Sequence, residues 1–160
     1  MTATETEPAP TATTAQVYTM MIKASPEAVW QGITDPRFVK QYFFGTKLEL
    51  ELVPGGSYKS WSPDGTQPWV DTEVIEVDPP RKFVHGWRPL YDNELADEPE
   101  SRVTWEIEDV GNGVSKLTVT HDLLEAAPKT AASVSGGWIG ILSGLKTLLE
   151  TGEPLGWAPR

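Results

Sequence analysis

Residues 131–152, AASVSGGWIGILSGLKTLLETG, constrain the fold more than any other stretch. Val134, Trp138, Ile141, Leu142, Leu145, Leu148 and Leu149 recur at the i, i+3/i+4, i+7 spacing of one helical face. The spacing predicts one long amphipathic helix, stopped by Gly152 with Pro154 just beyond. Such a stripe must be buried against another layer. Gly136, Gly137, Gly140 and Gly144 interrupt the helix, and each costs ~1 kcal/mol relative to Ala in a helix interior. That cost predicts a use for small residues there: a close approach to the sheet, room for a ligand, or a kink near Gly136-Gly137.

Upstream, the period changes from helical to alternating. Residues 16–23 read as a first strand. Ser25-Pro26-Glu27 starts a short helix by cap, proline and acidic first turn, presenting Val29, Trp30 and Ile33 inward. Asp35-Pro36 repeats the signal for a second short helix, ended by Gly45. Six further strands follow, over 47–53, 57–62, 69–77, 81–88, 101–109 and 114–121. Asp64-Gly65 and Asn112-Gly113 are hairpin turns. Tight turns between successive strands imply an antiparallel meander. Residues 89–100, PLYDNELADEPE, form an acidic connection longer than a hairpin needs, expected to be a solvated insertion. Residues 1–15 have little to bury and are expected to be a disordered tail. A single domain over 16–153 and a C-terminal tail over 154–160, in which Trp157 can fold back, complete the expected organisation.

Composition narrows the function. A formal net charge of −10 is repelled by phosphate backbones and anionic lipid, so neither nucleic acid nor a membrane surface is an expected partner. The chain has no cysteine, which excludes thiolate nucleophiles and disulfides. It shows no membrane-length apolar run and no signal-peptide pattern, so a cytoplasmic location is expected. Two histidines and scattered carboxylates do not make a metal site, and no phosphate loop, dinucleotide fingerprint or nucleophile elbow appears. No metal or cofactor is expected.

Four stretches together carry a family resemblance: ASPEAVWQGITDP (24–36), VPGGSY followed by DG (53–58, 64–65), EVIEVDPPRKFVHGW (73–87) and SRVTWEIEDVGNGVSKLTVTHD (101–122). The terminal GWIGILSGLKTLLETG adds a fifth. With this element order the chain resembles the SRPBCC (START-like) superfamily, in its activator of heat-shock-protein-90 ATPase homologue-like branch. The resemblance implies an α+β helix-grip fold. In it a curved antiparallel sheet wraps around a long C-terminal helix, with two short helices after the first strand. It also implies a cavity between helix and sheet, and a chaperone as one partner in a stress response.

The residues placed around such a cavity are Trp30, Phe38, Tyr42, Phe43, Leu50, Tyr58, Trp61, Trp69, His85, Trp87, Trp105, His121, Trp138, Leu142 and Leu145. A mostly apolar set with a few polar groups is what small-molecule sites present. His85, His121 or Tyr58 would orient the ligand. The reading is therefore a binding protein for an apolar, aromatic or lipid-like molecule. A chaperone-ATPase-activating interaction module is the second reading. A cyclase or hydrolase of polyketide-like substrates is the third, and it requires a cavity histidine with a partner.

Overall fold

The computed structural model describes residues 15–156. Within them a seven-stranded antiparallel sheet carries one long helix on its concave face. The elements are β1 (Gln16–Ile22), α1 (Pro26–Thr34), α2 (Pro36–Tyr42), β2 (Lys47–Leu50), β3 (Ser57–Trp61), β4 (Pro68–Asp78), β5 (Lys82–Trp87), α3 (Asn93–Ala96), β6 (Ser101–Gly111), β7 (Val114–Asp122) and α4 (Pro128–Thr151). Strand order is β1-β7-β6-β5-β4-β3-β2. Strands β2 to β7 form a meander, and β1 is added beside β7, leaving β1 and β2 as the edges. This is the helix-grip arrangement implied by the resemblance.

Local chemistry sets the element ends. The Ser25 hydroxyl accepts from the Ala28 N–H at the start of α1, and Asp35 accepts from the Arg37 N–H at the start of α2. The β6–β7 hairpin turns through Asn112 and Gly113, both at positive φ. Strand β2 is shorter than the alternation over 47–53 predicts. The Val53 N–H turns back onto the Glu51 carbonyl at 2.9 Å, and the Gly56 N–H onto Val53 at 2.8 Å. A Cβ at Gly56 would collide with both of those carbonyl oxygens, so only glycine fits there. Gly152 ends α4 at φ 79°, as a left-handed C-cap.

The concave face supplies the core. Phe83, Val103, Trp105, Leu117 and Val119 from the sheet meet Val29 and Ile33 from α1 and Trp138, Ile141, Leu142, Leu145 and Leu148 from α4. The expected tail over 1–15, apart from Ala15, and the Trp157 contact lie outside the described residues.

The 89–100 connection is more structured than a solvated insertion. It holds the single turn α3, and Leu95 from that turn is buried. Asp92 caps α3 by accepting from the Glu94 N–H at 2.8 Å.

Candidate functional site

Sheet and helix do not meet everywhere. Beside the first half of α4 a cavity of about 360 Å³ remains, within the ~300–1,000 Å³ range of small-molecule sites. Helix α4 contributes Ser133, Val134, Gly137, Trp138 and Ile141 to its wall. The turn after α2 contributes Phe43, Phe44 and Thr46, and the strands supply Ser60, Trp69, Val70 and Trp87. Tyr91 enters from the connection after β5. Phe44 sits at φ 56°, and it is followed by Gly45 at φ 71°. That left-handed pair turns the chain sharply between α2 and β2.

No lining residue carries a charge. The hydroxyls are few and partly engaged. Thr46 Oγ1 donates to the Trp61 carbonyl at 3.0 Å, and the Tyr91 hydroxyl lies 3.4 Å from Ser133 Oγ. The aromatic walls brace one another. Phe43 packs against Trp87 at 5.9 Å between ring centroids and edge-on against Trp138 at 6.3 Å, and Trp69 meets Tyr91 edge-on at 6.4 Å. The Trp87 indole N–H is closed off from solvent and has no hydrogen-bond partner among the described residues, so it offers the cavity no donor.

Both histidines lie behind this wall and are fully buried. An indole N–H only donates, so each tautomer follows from its tryptophan partner. Trp105 Nε1 donates to His85 Nε2 at 3.1 Å, leaving His85 Nδ1–H to donate to the Gly86 carbonyl at 2.8 Å. Trp138 Nε1 donates to His121 Nδ1 at 3.1 Å, so His121 Nε2–H donates to Ser101 Oγ at 2.7 Å. Ser101 in turn donates to the Trp87 carbonyl at 3.0 Å. Burial pushes His85 down to about 3, against a smaller opposing effect of the Gly86 carbonyl. Burial likewise lowers His121 to about 4, with Asp122 opposing it. Both rings are neutral and have their nitrogens occupied. The Tyr58 ring stacks on His85 at 3.8 Å between centroids, and burial raises its hydroxyl pKa.

Of the fifteen residues placed around a cavity by sequence, Phe43, Trp69, Trp87 and Trp138 line this one. Tyr42, Tyr58, His85, Trp105, His121, Leu142 and Leu145 are buried in the packed layer instead. Tyr42 donates its hydroxyl to the Gly32 carbonyl at 2.7 Å. Trp30, Phe38 and Leu50 are half-buried against the core, and Trp61 lies outside the lining. Phe44, Thr46, Ser60, Val70, Tyr91, Ser133, Val134, Gly137 and Ile141 line the cavity although sequence reasoning does not place them there. Val134 and Ile141 are legible as part of the helical stripe, and Gly137 as part of the glycine run. Tyr91 sits in a connection without periodicity, so no pattern marks it.

The glycine run divides by position. Gly137 borders the cavity, and a Cβ there would have only the Phe44 ring near it, at 3.9 Å. A Cβ on Gly136 would meet nothing within 4 Å. Gly144 is pressed against α2, where a Cβ would come 3.1 Å from the Tyr42 Cβ. Gly136, Gly137 and Gly144 thus sit in three different surroundings.

Among the described residues no helix is long and apolar enough to cross a membrane, and no group of three or more His, Cys, Asp or Glu could hold a metal ion.

Comparison with known proteins places this architecture. Solved structures that share the fold include these three. DynU16, a protein of the dynemicin biosynthetic locus, is 26% identical with a TM-score of 0.68; the match covers 88% of this chain but 48% of that one, so this chain spans about half its length. An HSP90 activator from Plasmodium falciparum is 22% identical with a TM-score of 0.65, covering 84% of this chain and 95% of that one. The Aha1 dimer from Colwellia psychrerythraea is 21% identical with a TM-score of 0.68, covering 87% and 98%. A search among curated proteins gives no match. The profile of one family aligns with residues 23–150, from the end of β1 through nearly all of α4. On that match the chain belongs to the family described as Activator of Hsp90 ATPase homolog 1-like protein.

Proposed function

We propose that the chain binds a neutral, largely apolar small molecule in the cavity beside the first half of α4. The observation that carries this reading is a 360 Å³ space walled by aromatic rings and lined by no charged side chain. An anionic ligand would find no cation in the wall, and it would approach a molecule of net charge −10. A cationic ligand would lose hydration without gaining a counter-charge. Burial of apolar ligand surface supplies the driving force, at roughly 25 cal/mol per Å². The hydroxyls of Ser60, Tyr91 and Ser133 can orient one polar group of the ligand. DynU16's place in a biosynthetic locus is in keeping with small-molecule handling.

The test is a fluorescence titration with the neutral dye Nile red. Gly137→Leu would fill the cavity from its wall, whereas Gly136→Leu would project from the open side of the same helix. Binding by the wild type and by Gly136→Leu, with loss in Gly137→Leu, is expected. Equal binding by all three would place the dye elsewhere and reject the cavity as the site.

The family favours a second reading, activation of a chaperone ATPase through the protein surface. Its check is the ATPase rate of an Hsp90-type chaperone with and without the chain. An unchanged rate rejects it. A cyclase or hydrolase reading would need a base other than His85 or His121, whose ring nitrogens are already engaged.

A further inference from the structure

Helix α4 begins without a cap of its own. Ala127 occupies the N-cap position and has no side chain to offer the first-turn N–H groups. Glu98, which lies beyond α3 in the 89–100 connection, does this instead. Its Oε1 accepts from the Thr130 N–H at 2.6 Å and from Thr130 Oγ1 at 2.8 Å, and its Oε2 accepts from the Lys129 N–H at 3.0 Å. The ionised carboxylate accepts all three most strongly, because both oxygens then share the negative charge. Burial works to raise the Glu98 pKa, but the bonds from Lys129 and Thr130 outweigh it and the group is lowered. A weaker, exposed pair joins Lys129 Nζ to Glu94 at 3.3 Å.

The same connection carries Tyr91 into the cavity wall, with its hydroxyl facing Ser133 on α4. The segment is hinged on the sheet side by the Leu90 N–H bond to the Trp69 carbonyl at 2.8 Å. Tyr91 itself is half exposed, at 51%. It therefore covers one side of the cavity mouth from a strap joined to the sheet at one end and to the start of α4 at the other.

We propose that residues 89–100 are a lid over the ligand cavity, and that Glu98 is the latch that holds it shut on the N-terminus of α4. The inference rests on the cavity being the ligand site. Widening the mouth for exchange of ligand then requires Glu98 to leave Thr130 and Lys129, so the latch sets how fast ligand enters and leaves rather than chiefly how tightly it is held.

Stopped-flow mixing with Nile red tests this in the full chain, on the wild type, Glu98→Ala and Glu98→Gln. Loss of hydrogen bonds to a charged acceptor is expected to raise both association and dissociation rates by about tenfold in Glu98→Ala. Glu98→Gln keeps one carbonyl acceptor and moves both rates the same way by less. Hydrogen exchange at amides 89–100 should quicken in parallel, while amides in the second half of α4 stay protected. Unchanged rates in both variants overturn the latch, as does faster dissociation with unaltered association, which marks a lost ligand contact. Failure of the wild type to bind the dye rejects the ligand site itself, a distinct result.

Discussion

The two halves of α4 use the same residue types for opposite ends. In the second half, Gly144 lets α2 approach until a Cβ would sit 3.1 Å from the Tyr42 Cβ. Gly32 on α1 does the same for Leu145, at 3.1 Å from its Cδ1. Helix meets helix there with no room left. Nearer the start of the helix, Gly136 and Gly137 have no close neighbour to accommodate, and Trp138, packed on its other sides, borders a space. Glycine in one half removes atoms so that backbones can touch. In the other, Gly137 leaves volume unfilled beside the cavity. One helix therefore divides into an anchor packed against α1 and α2 and a wall beside the cavity proposed to bind ligand.

Substitutions along α4 should separate these roles. The largest effect is expected at the anchor. Gly144→Leu would force a side chain into Tyr42 and cost about 3 kcal/mol, read by denaturant unfolding. A silent substitution would mean that the two helices can part freely, and the contrast between halves would collapse.

Trp138→Phe stands at the boundary. It keeps a ring in the wall but leaves His121 Nδ1 as a buried acceptor without its donor, at a cost of about 2 kcal/mol. Full stability in this variant would show the bond to be dispensable.

Acid should act on the region behind the wall first. His85 and His121 are held at about 3 and about 4, below the ordinary 6.5. Between 6.5 and those values the unfolded chain takes up protons that the folded chain does not. Their contribution to stability is complete above pH 6.5 and is lost as pH falls through that window. Unfolding free energies measured from pH 7 to 4 should fall, and His121→Gln should flatten the slope. A slope that is the same in both proteins would show that His121 does not contribute to the acid sensitivity.

The smallest effect is the most diagnostic. Gly136→Ala and Gly137→Ala should each add up to about 1 kcal/mol of stability, since both leave a helix interior without a clash. Only the second narrows the cavity, so only it should weaken dye binding. A thermal scan beside each titration would show gain and loss together.

Much of the fold is legible in the residues themselves. Ser25-Pro26, Asp35-Pro36, Asn112-Gly113 and Gly152 each impose a backbone geometry that few other residues satisfy, and the structure has an element boundary at each. Alternation along a strand identifies the inner face. It cannot separate inner residues that fill space from those that border it. Trp87 and Trp105 both point inward, but Trp105 packs edge-on against Trp138 at 5.5 Å while Trp87 looks onto the void. His85 and His121 read as cavity groups because polar residues on an apolar face suggest function. Their partners, Trp105 and Trp138, lie 20 and 17 residues away, and no local pattern pairs them. Tyr91 and Glu98 act through an irregular segment, where neither helical nor strand spacing exists to be read.

The hydrogen-bonded series from Trp138 through His121 and Ser101 to the carbonyl of Trp87 runs from α4 across β7 and β6 to the end of β5. Both of its terminal residues belong to the cavity wall. The series is a strut. It ties the Trp138 indole to the main chain at Trp87 and so fixes the span between α4 and the end of β5 at the cavity wall. A span propped in this way is set during folding, so a ligand bound as proposed would not need to push α4 away from β5. Shortening or cutting the strut would let the aromatic rings close over their own vacancy, and affinity would drop with every ligand contact still present in the sequence.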